Sequence, residues 1–148
     1  KPYVPLFQRR CKISVRLWFE LYYLRVCSFV EASTVKTGES IQVTTTVTNT
    51  GKRAGDEVVQ LYVSHPQNGN TRVPLRALKG FKRIHLDTGE SRQVTFTLSP
   101  EELSLVDEKG NLVEKEGTVE LYIGGGQPYK SEGSFGELKI EGEKYVVY

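Results

Sequence analysis

Ten consecutive residues, Ser40 to Asn49 (SIQVTTTVTN), alternate without a lapse. Ile41, Val43, Thr45 and Val47 fall on one side, and Gln42, Thr44, Thr46 and Thr48 on the other. Successive side chains of an extended chain point in opposite directions, so a period of two describes a β-strand with one face buried and one face wet. Such a strand has no stability by itself. It needs neighbours in a sheet and a second layer over its apolar face. One strand of this kind commits the chain to a layered β architecture.

The following residues supply the neighbours. Glu57 to Ser64 places Val59, Leu61 and Val63 on one face and Val58, Gln60 and Tyr62 on the other, so its outer face is also expected to be partly covered. Ile84 and Leu86 alternate within Leu78 to Leu86. Val94, Phe96 and Leu98 do so in the next run, and Val119, Leu121 and Ile123 in Thr118 to Ile123. Phe135, Leu138 and Ile140 mark a last strand before a Tyr-rich tail. Asn49-Thr50-Gly51-Lys52, Gly55-Asp56, Asp87-Thr88-Gly89-Glu90 and Asp107 to Asn111 carry the Asn, Asp and Gly chemistry of turns. Ser99-Pro100-Glu101-Glu102 is a helix start, with Ser99 as cap, Pro100 at the first position and Glu102 closing a capping box. Leu103 to Val106 follows so closely that a single helical turn is expected. About seven short strands at this spacing predict an all-β, immunoglobulin-like sandwich. The Cys…Trp…Cys signature of true immunoglobulin domains is missing, so the two sheets have to stand on their apolar core, as in fibronectin type III modules.

The first residues differ in kind. Lys1, Arg9, Arg10, Lys12, Arg16 and Arg25 face only Glu20 and Glu31 there, while the remainder is slightly acidic, within a total of 20 basic and 18 acidic side chains. Cys11, Cys27 and the single tryptophan, Trp18, lie in this part, and all 14 glycines lie beyond it, from Gly38 onward. Ile13 to Val30 is apolar but broken by Arg16, Glu20 and Arg25, which argues against a membrane span, and it lacks the layout of a signal peptide. Its periodicity fits neither helix nor strand. The expected organisation is an atypical segment at 1–34, out of frame or disordered, followed by one sandwich domain at 35–148. A chain of 148 residues that opens with Lys1 and holds no Met is expected to be a fragment, a processed product or a trimmed sequence.

Residues that could carry chemistry are few. His65 ends a strand before Pro66, and His85 takes an outward strand position; neither has companions at metal-ligand spacing, so both are expected to be surface or structural. Cys11 and Cys27 lack the spacing of a redox or zinc pair. Gly124-Gly125-Gly126 precedes no helix, which makes it a strand-ending turn rather than a phosphate loop. Asp56-Glu57 and Glu101-Glu102 are expected to be solvated turn charges, because nothing sets two carboxylates across a pocket as glycoside cleavage requires. Tyr62, Tyr122, Phe135, Tyr145 and Tyr148 could stack sugars, but core and interface packing is the favoured use. Lys79, Lys82, Arg83 and Arg92 are scattered and balanced by acids, which argues against nucleic acid as a partner. No catalytic, cofactor-binding or metal-binding residue is expected, and no cofactor.

The run VTNTGKRAGDEVVQLYVSHP (Val47 to Pro66) is similar to the fibronectin type III-like domain at the C-terminus of family 3 glycoside hydrolases, the β-glucosidase and β-xylosidase group. The similarity continues through Arg76 to Asn111 and ends with TVELYIGG (Thr118 to Gly125). One departure is local: where the family often has Trp-Val-Val, this chain has Leu112-Val113-Glu114. The resemblance implies a non-catalytic structural or accessory domain. Its partners would be the catalytic domains of a parent hydrolase, absent from this chain and holding every catalytic carboxylate, and such parents are often periplasmic or secreted. A carbohydrate-binding module and a free-standing protein-interaction or adhesion module are the alternatives. Ahead of this domain the family carries a run close to Tyr-Pro-Phe-Gly-Tyr-Gly-Leu-Ser-Tyr-Thr-Thr-Phe, and Ile13 to Leu24 (ISVRLWFELYYL) stands in its place. Codons that encode Ile13 to Leu24, regrouped from their second base, can spell the first eleven residues of that run. The segment is therefore expected to be an out-of-frame translation, with the family frame resuming by Val35.

Overall fold

The computed structural model describes the backbone of residues 12–16, 22–30, 34–65, 76–125 and 133–147, and the side chains of 34–65, 76–125 and 138–147. Its strands in chain order are β1 (Lys12–Arg16), β2 (Tyr22–Val30), β3 (Thr34–Lys36), β4 (Ile41–Asn49), β5 (Gly55–Ser64), β6 (Ala77–Leu86), β7 (Ser91–Leu98), β8 (Leu105–Val106), β9 (Leu112–Glu114), β10 (Gly117–Gly124), β11 (Gly133–Glu141) and β12 (Tyr145–Val146). A single helical turn, α1 (Pro100–Leu103), follows β7. Two large sheets, β1-β2-β4-β7 and β3-β11-β10-β5-β6, face one another, and a small sheet, β12-β9-β8, closes one end.

The alternation of β4 reappears as burial. Val43, Thr45 and Val47 are fully buried while Gln42 is exposed. Val43 and Val47 join Val94, Phe96 and Leu98 of β7 on one side of the core and Val59, Leu61, Val63, Leu121 and Ile123 on the other, in one apolar cluster. Burial of this many branched side chains is the main force holding the layers together. Asn49, also buried, ends β4 by hydrogen bonding: its Nδ2 donates to the carbonyls of Arg53 (2.7 Å) and Leu86 (3.2 Å), and its Oδ1 accepts from Gly51 N–H (2.9 Å). The turn chemistry read in the sequence is thus also a tie between β4 and β6.

The described residues hold twelve strands rather than about seven. Six of the seven long ones, β4, β5, β6, β7, β10 and β11, match the alternating runs. Strands β8, β9 and β12 span two or three residues, too few to display a period. Residues before Thr34 contribute the edge strand β1 and, between β1 and β4, the interior strand β2, paired from Leu24 opposite Asn49 to Val30 opposite Val43. Thr34 then opens β3, which joins the other sheet in parallel with β11.

α1 forms as its start signal predicts. The Glu102 carboxylate accepts from Ser99 N–H (2.6 Å) and from the Ser99 hydroxyl, which satisfies groups that a helix start leaves open.

Candidate interaction surface

The outer face of the five-stranded sheet carries the most distinctive surface. Paired residues on neighbouring antiparallel strands share a face. One rung crosses the sheet as Tyr122 (β10), Tyr62 (β5) and Leu78 (β6). The adjacent rung is Gly124, Gln60 and Phe81. The tyrosines do not stand up from the sheet. Tyr62 Oη donates to Gln60 Oε1 (2.7 Å), and Tyr122 folds along its own strand so that a Cβ on Gly124 would lie 2.6 Å from its hydroxyl oxygen. Both rings lean toward the same rung, 6.1 Å apart at a tilted 60°, the edge-to-face style that aromatic quadrupoles favour. They are buried, at 8% and 3% exposure. The two β6 residues on the same rungs are not: Phe81 is 68% exposed and Leu78 48%.

Local backbone explains why β6 presents these side chains. Its pairing with β5 shifts between Leu61 and Tyr62, so Lys79 is an extra residue between Leu78 and Gly80. A bulge twists an outer strand and re-aims its side chains. Gly80 lets β6 approach the other sheet: an added Cβ would sit 2.8 Å from Phe96 Cδ1. Lys82 then closes that margin of the sandwich, its Nζ donating to the Thr95 carbonyl (2.5 Å) and lying 5.6 Å from the Phe96 ring centre. A lysine over an outer strand also discourages edge-to-edge pairing.

Beyond Phe81 the face becomes ionic. Arg83 donates to Asp56 Oδ2 through Nε (2.9 Å) and Nη2 (2.5 Å), and His85 Nδ1 meets Asp56 Oδ1 at 2.6 Å. The His85 hydrogen bond, followed by Arg83, holds the Asp56 carboxyl below its ordinary range, and Asp56 in turn raises His85. His85 is exposed, as its outward position predicts. His65 is half-buried at the end of β5. Its Nε2 bonds the Leu103 carbonyl at 3.0 Å, fastening β5 to α1, and burial lowers its basicity.

The acidic pairs do not converge. Asp56 and Glu57 are strand residues rather than turn charges, so they point to opposite faces. Glu57 is only 4% exposed; its Oε1 accepts from Val58 N–H (2.9 Å) and sits 3.0 Å from where a Cβ on Gly125 would be. The glycines at 124 and 125 therefore end a strand, as read, and also clear space for Tyr122 and Glu57. Lys79 and Arg92 stay apart from the Arg83 cluster, Arg92 pairing with Glu90 at 2.9 Å. Tyr145 lies at the far end, against Gly38. Cys11, Gly126 and Tyr148, and the side chains of Cys27 and Phe135, lie outside the described residues. Among the described residues no group of three or more His, Cys, Asp or Glu could hold a metal ion. The sequence pattern implied partial cover for Tyr62; the alternation of Ile84 and Leu86 turns Phe81 outward with His85, but nothing in it shows that Phe81 stays uncovered.

The fold and this surface define a fibronectin type III-like β-sandwich. Residues 57–127 match the family described as "Fibronectin type III-like domain". The chain is 38% identical over 95 residues to the β-glucosidase BoGH3A of Bacteroides ovatus, covering 64% of this chain and 13% of that protein. It is 44% identical over 82 residues to a β-xylosidase of Formosa agariphila, covering 55% and 11%. It superposes on a crystal structure of a β-glucosidase from Kluyveromyces marxianus with a TM-score of 0.68 at 30% identity, over 82% of this chain and 15% of that one. The chain thus spans about an eighth of the curated relatives it matches. The domain is of the kind that forms a non-catalytic part of family 3 glycoside hydrolases.

Proposed function

We propose that this chain is the accessory sandwich of a family 3 glycoside hydrolase that cleaves terminal β-glucosidic or β-xylosidic bonds. The catalytic domains lie outside these 148 residues, and the sandwich docks on them through the outer face of β6. The observation that carries this reading is the contrast within two adjacent rungs. Tyr62 and Tyr122 are buried, while Phe81 and Leu78 beside them stand in solvent. An exposed aromatic on a rigid strand, flanked by an ionic rim at Arg83 and Asp56, has the make-up of an interface anchor. The relatives supply the partner's scale, since most of their length lies outside the segment that this chain matches. Sugar stacking would need tyrosine faces in solvent, and Tyr62 and Tyr122 give theirs to the sheet.

The same reading treats residues 1–34 as an out-of-frame translation. Backbone pairing is indifferent to side-chain identity, so a segment rich in β-branched and aromatic residues can add to β4 without having been selected for it. Sequencing the encoding DNA checks this: codons of Ile13 to Leu24 that do not regroup into the family run contradict it. The functional claim is checked by assaying the purified chain on chromogenic β-glucosides and β-xylosides. No turnover above buffer is expected, and turnover would contradict the non-catalytic assignment.

A further inference from the structure

Glu114 is the only charged residue type that the described part of the small sheet buries completely. It is 0% exposed at the end of β9, in the run where the chain departs from the family pattern. Its Oε2 accepts from Gly38 N–H at 2.7 Å, and its Oε1 has no hydrogen-bond partner. Gly38 belongs to the turn between β3 and β4, with φ +83°, a conformation open to glycine. The C-terminal tail wraps the same turn. Thr37 N–H donates to the Glu141 carbonyl (3.0 Å), Gly142 closes on Thr37 Oγ1, and the Tyr145 ring covers Gly38 at 3.3 Å from where a Cβ would be. Tyr145 is also paired with Glu114 across β12 and β9, and Val147 N–H donates to the Leu112 carbonyl at 2.9 Å.

We propose that Glu114 is a proton-dependent clasp that holds the C-terminal strand β12 and the Gly38 turn against β9. A buried carboxyl with one donor is stable when neutral: Oε2 takes the Gly38 N–H and the proton resides on Oε1. Ionised, it would carry a buried charge with a single hydrogen bond and no counter-charge. The charged groups of the surrounding elements do not supply one. Lys36, Glu39, Lys115, Glu116, Glu143 and Lys144 are all exposed, and Lys144 is engaged by Asp107 at 3.3 Å; on α1, which packs on β9, Glu101 is exposed and Glu102 is held by Ser99, and both are acidic. Desolvation accordingly pushes the Glu114 carboxyl up, against the smaller pull of Gly38. The native state then binds the proton more tightly than the unfolded chain. Stability is full below the ordinary value of 4.5 and is lost as pH rises from there through the raised folded value.

The test is an NMR pH titration of the full 148-residue chain, following the Glu114 carboxyl and the exchange protection of the Gly38 and Val147 amides, corrected for intrinsic exchange. The clasp predicts a Glu114 midpoint above 4.5 and a loss of protection over the same interval, about tenfold per unit of upward shift. Glu114→Gln, neutral at every pH and still an acceptor for Gly38, should keep that protection throughout. A midpoint at or below 4.5, or unchanged protection while Glu114 ionises, would overturn the proposal. So would a Gln variant whose protection falls with pH as the wild type's does. If Glu114→Gln does not fold, the wild-type titration decides alone.

Discussion

The two faces of the five-stranded sheet are built from the same strands and follow different rules. On the inner face every strand contributes: Val35, Leu61, Ile84, Leu121 and Leu138 are all buried in the core. On the outer face burial stops partway across a rung. Tyr122 and Tyr62 lie flat on their own strands, and Leu78 and Phe81, one strand further out, do not. The inner face holds the sandwich together, so its contacts are expected to set stability. The exposed part of the outer face adds little to folding, which leaves it available for a partner.

Mutations should separate the two faces. The largest effect is expected from Leu61→Ala, which removes a fully buried side chain at the centre of the cluster. It should cost ~2–5 kcal/mol of unfolding free energy by urea denaturation. Gly80→Ala attacks the inner side of β6, where the new methyl would meet Phe96 at 2.8 Å; a cost of ~1–3 kcal/mol is expected from overpacking. Phe81→Ser, its neighbour on the outer side, should change stability by less than about 0.5 kcal/mol. A Phe81→Ser cost as large as that of Gly80→Ala would erase the distinction between the faces.

The smallest effect concerns the ionic rim. His85 should titrate above its ordinary 6.5, and Asp56→Asn should bring it back toward that value. With His85 raised, its share of stability is full below 6.5 and fades as pH climbs through the raised value. With Asp56 lowered, its share is full above 3.8 and fades as pH falls through the lowered value. The cluster is therefore strongest between those two limits. At this exposure the consequence for folding is minor, so NMR titration of the His85 ring is the suitable measurement.

What was legible in the sequence follows from the length over which a pattern can repeat. β4 declares itself through nine alternating residues, β7 through six, and α1 through four residues of capping chemistry. The small sheet is invisible because Leu105–Val106 and Tyr145–Val146 are two residues each and owe their strand geometry to tertiary pairing. Asp56-Glu57 reads as a hydrophilic turn because β5 begins at Gly55, three residues before its apolar run opens at Val58; burial of Glu57 depends on Gly125, far away in sequence. Phe81 was half legible: the alternation of Ile84 and Leu86 carried back along β6 puts it on the outward face with His85. The bulge at Lys79, which brings Leu78 onto that same face beside it, interrupts the alternation and so escapes a period-of-two reading. The carboxylates and aromatics legible in the sequence were therefore candidates, while the side that each one faces belongs to the fold.

The docking role is tested most directly by supplying this chain in trans to the Bacteroides ovatus β-glucosidase BoGH3A from which the segment matching this chain has been deleted, and measuring binding by calorimetry. Binding by the wild-type chain is expected, and its loss in Phe81→Ser, with the variant as stable as its parent. Equal binding by the two chains, or no binding by either, would contradict it.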